Sequence, residues 1–201
     1  MRQLLLFACA MYMTCDRVPA KEPDAKSLAA NVIASAGGKD KLLKQFRMKE
    51  RFNAGAKRTT SATTRTSIVA PPKYWWVGAT ERGVEPAKTT TWAWTLGVLT
   101  DAKSQVALIP GVTEDKTPLD GLRITGTVSP ALDMYFDKKT RQLVRVDWRN
   151  DIYIFSEWHK YDGTRYPAKC IMYKRKARVP WFHHEIIQLE RLKKLPANLK
   201  K

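Results

Sequence analysis

Cysteine and histidine are scarce in this chain of 201 residues, three of each. His183 and His184 adjoin one another in "WFHHEII", so on a strand they point to opposite faces and cannot chelate one metal together. That stretch also lacks the His-Glu-x-x-His spacing of zinc hydrolases. His159, in "EWHKYDG" beside a turn, reads as a surface or interface residue. No Gly-x-Ser-x-Gly elbow, phosphate loop or dinucleotide fingerprint occurs. "AGGKDK" shares with a phosphate loop only its glycine before lysine, and Gly37-Gly38 reads as a helix stop. No metal, cofactor or catalytic residue is expected, and the chain is not expected to be an enzyme.

Long apolar runs are missing too. The one candidate, "LLLFACAMYM" after Arg2, falls short of the ~20 residues needed to span a bilayer. With its basic start and the small residues of "TCDRVPA" it reads as a secretory signal, residues 1–20, cut after Ala20. A lipoprotein signal using Cys15 or Cys9 is the competing reading, and an uncleaved anchor a third. Cleavage removes Cys9 and Cys15 and leaves Cys170, which excludes an internal disulfide; packing alone must hold the exported protein together. Cys170 follows "YPAK" in a strand-like run and reads as a small core residue rather than a nucleophile.

Acidic residues are few: 19 against 36 Lys and Arg, for a net charge of +17. Losing the signal removes two positive charges and one negative, so the +17 becomes +16. Such a charge favours anionic partners, whether lipid head groups, acidic glycans or nucleic acid. The basic residues are scattered, and the dense cluster is "KRKAR", with Lys174, Arg175, Lys176 and Arg178. Export argues against nucleic acid, as do aromatics that sit among aliphatics rather than interleaving with Arg and Lys.

What the sequence does contain is alternation. One clear helix lies in "PDAKSLAANVIASAGG", where Leu28, Val32, Ile33 and Ala36 recur at helical spacing behind an Asp24 N-cap. From Phe46 the period becomes two. Phe46, Met48 and Phe52 fall on one face of "FRMKERFN" and Arg47, Lys49 and Arg51 on the other. Glu50 falls on the apolar face, where it either pairs with an inward Arg or lies at the rim. About ten strands follow one another through short turns, which predicts an antiparallel meander in a mainly β domain over residues 21–201. In "IYIFSEW" both faces are apolar, so the sheet is covered on both sides or curls round a covered hollow.

The run "YFDKKTRQLVRVDWRNDIYIFSEWHKYDGTRYPAK" resembles the outer-membrane lipoprotein-sorting proteins, the carriers of LolA and LppX type. The matching landmarks are Asp137, Thr140, Leu143, Val144 and Arg145 in one hairpin, then Tyr161, Asp162, Gly163, Tyr166 and Pro167. The resemblance covers the last third of the chain and, in layout, the rest. It implies an open, strongly curved antiparallel half-barrel lidded by helices, whose hollow receives acyl chains in the best-known members.

Seven tryptophans complete the picture. Trp148 and Trp158 alternate into a strand face and fit a core or wall. Trp92, Trp94, Leu96 and Leu99 break the strand pattern, as a short helix or an apolar loop, and are expected to lid an apolar pocket; Trp75 joins them on a short aromatic strand. The expected ligand is a lipid, a lipidated protein or another apolar group, in the periplasm or cell envelope. The alternative is an envelope structural or interaction protein with no small ligand, using its basic surface on anionic partners.

Overall fold

The computed structural model describes residues 24–57 and 62–199. The signal and its cleavage site lie outside the described residues. Asp24 caps the first helix, α1 (Ala25–Ser35), its carboxylate accepting from the Ser27 amide at 2.8 Å. Leu28, Ala29 and Val32 are its buried face. Gly37 and Gly38 end it at φ of 109° and 92°, backbone that other residues adopt only with strain.

Eleven strands follow: β1 (Phe46–Ala54), β2 (Thr63–Ala70), β3 (Tyr74–Val77), β4 (Thr80–Glu81), β5 (Gln105–Glu114), β6 (Thr117–Thr125), β7 (Leu132–Asp137), β8 (Leu143–Trp148), β9 (Asp151–Tyr161), β10 (Thr164–Lys174) and β11 (Val179–Arg191). They form one antiparallel sheet in the order β4-β3-β2-β1-β11-β10-β9-β8-β7-β6-β5. The last strand pairs with the first, so the meander folds back between its own ends, yet the sheet does not close: β4 and β5 are edges. The expected half-barrel is therefore present, with eleven strands where the turn pattern suggested about ten.

Register explains which side chains meet. Phe46 pairs with Val69, Met48 with Ser67 and Glu50 with Arg65. Phe52 pairs with His184, which pairs with Cys170, which pairs with Phe155. Tyr153 pairs with Val146, Val146 with Met134, and Met134 with Leu122. Side chains directly opposite one another share a face, so one face is apolar almost throughout. The other carries ion pairs such as Arg47–Glu190 (2.6 Å), Arg51–Glu185 (2.5 Å) and Arg123–Asp133 (2.7 Å).

The second helix, α2 (Glu85–Trp94), and a 3-10 turn (Gly97–Leu99) cover the apolar face. The stretch Trp92–Leu99, expected as a short helix or an apolar loop, thus ends a helix that begins seven residues earlier and breaks at Leu96, which adopts a left-handed φ of 60°. "TTT" reads as strand from its β-branching. Here Thr90 is instead accommodated by bonding its hydroxyl to the Pro86 carbonyl (2.8 Å), as Thr95 at the C-cap bonds to that of Thr91 (2.9 Å). Pro86 lies in the first turn, where its missing N–H costs nothing.

Candidate functional site: the hollow beneath α2

Between α2 and the apolar face lies a cavity of about 640 Å³, within the span of roughly 300–1,000 Å³ usual for small-molecule sites. Its floor comes from β1, β9, β10 and β11, with Met48, Phe52, Tyr153, Phe155, Met172 and Phe182. Its roof is Pro86, Ala87, Thr90, Thr91 and Trp94, and Arg82 and Val84 precede the roof helix. Two ion pairs hold that helix: Lys88 with Glu81, and Arg149 with Glu85 at 2.7 Å. Trp94 meets Phe46 edge-on at 5.5 Å between centroids, the arrangement favoured by the ring quadrupoles.

One polar cluster interrupts the apolar lining. Glu50 is 0% exposed. Its carboxylate accepts from Arg65 Nε at 2.7 Å and from the Ser67 hydroxyl, and its second oxygen lies 2.6 Å from His184 Nε2. Register builds this group: Arg65 stands directly across from Glu50 on β2, Ser67 two residues along the same strand, and His184 diagonally opposite on β11. Burial alone would push the Glu50 carboxyl up. The hydrogen bond and charge of His184, with bonds from Arg65 and Ser67, hold it below its ordinary value instead. The Arg65 guanidinium lies 4.4 Å from the Phe52 ring centroid and 5.4 Å from that of Trp75. Of the two possibilities for Glu50, the inward Arg is the one realised.

Trp75 and Trp94 line the cavity; Trp92, Leu96, Leu99, Trp148 and Trp158 do not. Trp92 packs beside Gly97, where an added Cβ would come within 2.6 Å of its ring. Leu99 and Trp158 pack against the core as partly buried residues. Trp148 is buried, donates to the Pro130 carbonyl at 2.9 Å and carries Arg149 over its ring at 4.2 Å. Cys170 lies on the cavity wall with no activating partner, and burial pushes its thiol up. Sequence reasoning passed over Arg65 and Trp181 as lining residues. Trp181, which also lines the cavity, donates to Asp151 at 3.1 Å.

The basic cluster forms the end of β10 and the turn into β11. Lys174 pairs with Asp151 at 2.8 Å and lies over Trp181 at 4.1 Å, and Arg178 pairs with Glu114 at 2.9 Å. Arg175 and Lys176 are exposed, with no carboxylate partner among the described residues. His159 is exposed, edge-on to Tyr166 at 5.8 Å. Among the described residues no group of histidines, cysteines and carboxylates is placed to hold a metal, and no helix is long and apolar enough to cross a membrane.

An open curved sheet wrapped round a roofed apolar hollow is a fold that solved structures share. The chain shares 87% of its length with 94% of a domain from Vibrio parahaemolyticus described as an outer-membrane lipoprotein-sorting protein, at TM-score 0.52 and 8% identity. It likewise shares 86% of its length with 93% of a DUF1329 family protein from Desulfovibrio piger, at TM-score 0.51 and 12% identity. A LolA superfamily protein from Nitrosomonas europaea is similar over 84% of this chain, at TM-score 0.48 and 11% identity. The first two likenesses give the fold as that of a lipoprotein-sorting domain, as the hairpin landmarks implied. No family model and no curated protein matches the sequence.

Proposed function

We propose that this chain is an exported, non-enzymatic carrier that holds a lipid, an acyl chain or another apolar group in the hollow beneath α2. The observation that carries the reading is the cavity itself: about 640 Å³, walled by aromatic, methionine and aliphatic side chains and roofed by one helix. Such a space is costly to leave filled with water. Each Å² of apolar surface withdrawn from water contributes about 25 cal/mol to holding an occupant. The likeness to a lipoprotein-sorting domain supports the same reading at the level of fold. Export would remove residues 1–20, so N-terminal sequencing of the mature protein should begin at Lys21.

The alternative, a ligand-free interaction module working through its basic turn, has less support. Two of the four clustered cations are already engaged by Asp151 and Glu114. Native mass spectrometry of protein purified from its own envelope, with lipid extraction of bound material, tests the carrier reading. A stoichiometric apolar adduct is expected. Protein that emerges empty, and that takes up no neutral acyl ester when titrated, would overturn it.

A further inference from the structure

We propose that Arg65 is a head-group anchor and that the hollow's ligand is a single-chain amphiphile ending in a carboxylate. This rests on the carrier reading and narrows it. A wholly apolar cargo offers no partner to charged groups in the lining, and a buried ion pair is a poor way to stabilise a sheet. Replacing such a pair by packed hydrophobic residues is often neutral or favourable. The Glu50–Arg65–Ser67–His184 group must therefore be explained by something other than packing.

Its geometry points inward. Arg65 uses Nε on Glu50, and its two terminal nitrogens have no acceptor among the described residues. The side chain is 33% exposed and lines the cavity. The guanidinium lies over the Phe52 ring and near that of Trp75, and its Nε is held by Glu50. A planar fork held in this way presents two parallel N–H donors, the arrangement that recognises a carboxylate bidentately. The indole nitrogen of Trp75, whose ring lies 5.4 Å from that guanidinium, is buried without an acceptor among the described residues, a deficit in keeping with a site that expects an oxygen-bearing group.

The charge balance of the lining favours an anion. Glu50 and Asp151 are the lining carboxylates, and Arg65 and Arg82 the lining guanidiniums. Asp151 is already neutralised by Lys174 from outside the cavity. With Asp151 so paired, the two guanidiniums outweigh the one remaining lining carboxylate, and His184 adds no negative charge. The lining thus suits an anionic head group, and the flat fork of Arg65 matches the two coplanar oxygens of a carboxylate. With the head on Arg65, the chain runs over Phe155, Tyr153 and Met172 beneath Trp94.

The test compares oleate, methyl oleate and oleyl phosphate as competitors of a fluorescent acyl probe, using the full mature chain. Oleate is expected to bind roughly 10- to 100-fold more tightly than its ester, the range of one or two charge-assisted hydrogen bonds, and more tightly than oleyl phosphate. Arg65→Gln should abolish that preference while leaving the ester's affinity within a few-fold. Because this change leaves Glu50 without its cation, the double variant Glu50→Gln/Arg65→Gln repeats the measurement with a neutral, hydrogen-bonded cluster. Equal binding of oleate and ester by the wild type, or a preference that survives in the double variant, overturns the anchor and leaves the carrier reading standing. Tighter binding of oleyl phosphate overturns the carboxylate assignment. If no ligand of the three binds, the carrier reading itself falls.

Discussion

A Cβ atom added to Gly37 would lie 1.9 Å from the carbonyl oxygen of Gly163. The end of α1 is thus pressed backbone-to-backbone against the turn between β9 and β10, and the Arg165 amide donates to the Ala36 carbonyl beside it at 3.1 Å. The turn owes its shape to Asp162 and Gly163, both at positive φ (46° and 76°), the pairing expected of a two-residue hairpin. Asp162 also accepts from Arg191 Nε at 2.6 Å. The "Y-D-G-x-x-Y-P" landmark is therefore a docking point for the N-terminal helix.

Gly37 and Gly38 separate strain from contact. Both have positive φ, but a Cβ on Gly38 would meet nothing within 4 Å. Gly38→Ala should cost about 1–3 kcal/mol, the usual range for backbone strain. Gly37→Ala should cost clearly more, because two backbones must part. Chemical denaturation of the two variants checks this; equal losses would mean that the close approach is relieved at no cost.

Trp94 and Trp148 are both buried, but Trp94 faces the cavity and Trp148 does not. Trp94→Ala and Trp148→Ala should each lower stability by about 3–5 kcal/mol. Trp94→Ala should in addition weaken binding of a fluorescent acyl probe beyond what lost stability accounts for. Binding losses that track stability in both variants would assign Trp94 to the core alone.

Glu50 makes stability depend on acid. Its carboxyl is held below its ordinary value of 4.5. A lowered folded value means that the contribution is complete above 4.5 and disappears as pH falls through the folded value. Glu50→Gln should lose roughly 1–3 kcal/mol near neutrality, as expected for weakening hydrogen bonds to a buried charge. Its denaturation midpoint should then fall less steeply than the wild type's on acidification. Asp24 and Asp137 are also held low but titrate identically in both proteins, so the difference isolates Glu50. Parallel pH profiles would show that Glu50 does not ionise differently on folding.

Cys170 reports on the hollow. Burial disfavours its thiolate, so reaction with a maleimide at neutral pH should be much slower than that of a free thiol. An acyl probe in the cavity should slow it further. Reaction at the rate of an exposed cysteine, or indifference to a bound probe, would place Cys170 off the ligand's path.

Much of this architecture is legible from alternation, because a residue's face in a strand depends on sequence parity. Phe46, Met48 and Phe52 show it, and so does the opposite pointing of His183 and His184. The site is harder to read because it depends on register between distant strands. Arg65 stands in the Thr-rich "TTRTS", which looks like an outward-facing segment, and its importance appears only when β2 is laid against Glu50. His184 reaches Glu50 across 134 residues of sequence. The start of α2 is hard to read because Thr89, Thr90 and Thr91 favour strand locally, a preference that at Thr90 yields to a hydroxyl–carbonyl bond to Pro86.

The sheet's two open edges bear on how readily a second copy could add to it. An unpaired strand is a template on which a second chain can grow, and an incomplete barrel has two of them. Here one edge, β4, is two residues long. The other, β5, is ten residues long, but its ladder slips between Ile109 and Val112, where Pro110 has no amide to offer. Gly111 lies within that slip, so close to Leu119 that an added Cβ would come 2.3 Å from its carbonyl oxygen. The irregularity is thus locked in by backbone crowding, and a neighbouring copy meets a kinked, partly donorless margin. An incomplete barrel is thereby hindered from being extended, strand by strand, into a fibre.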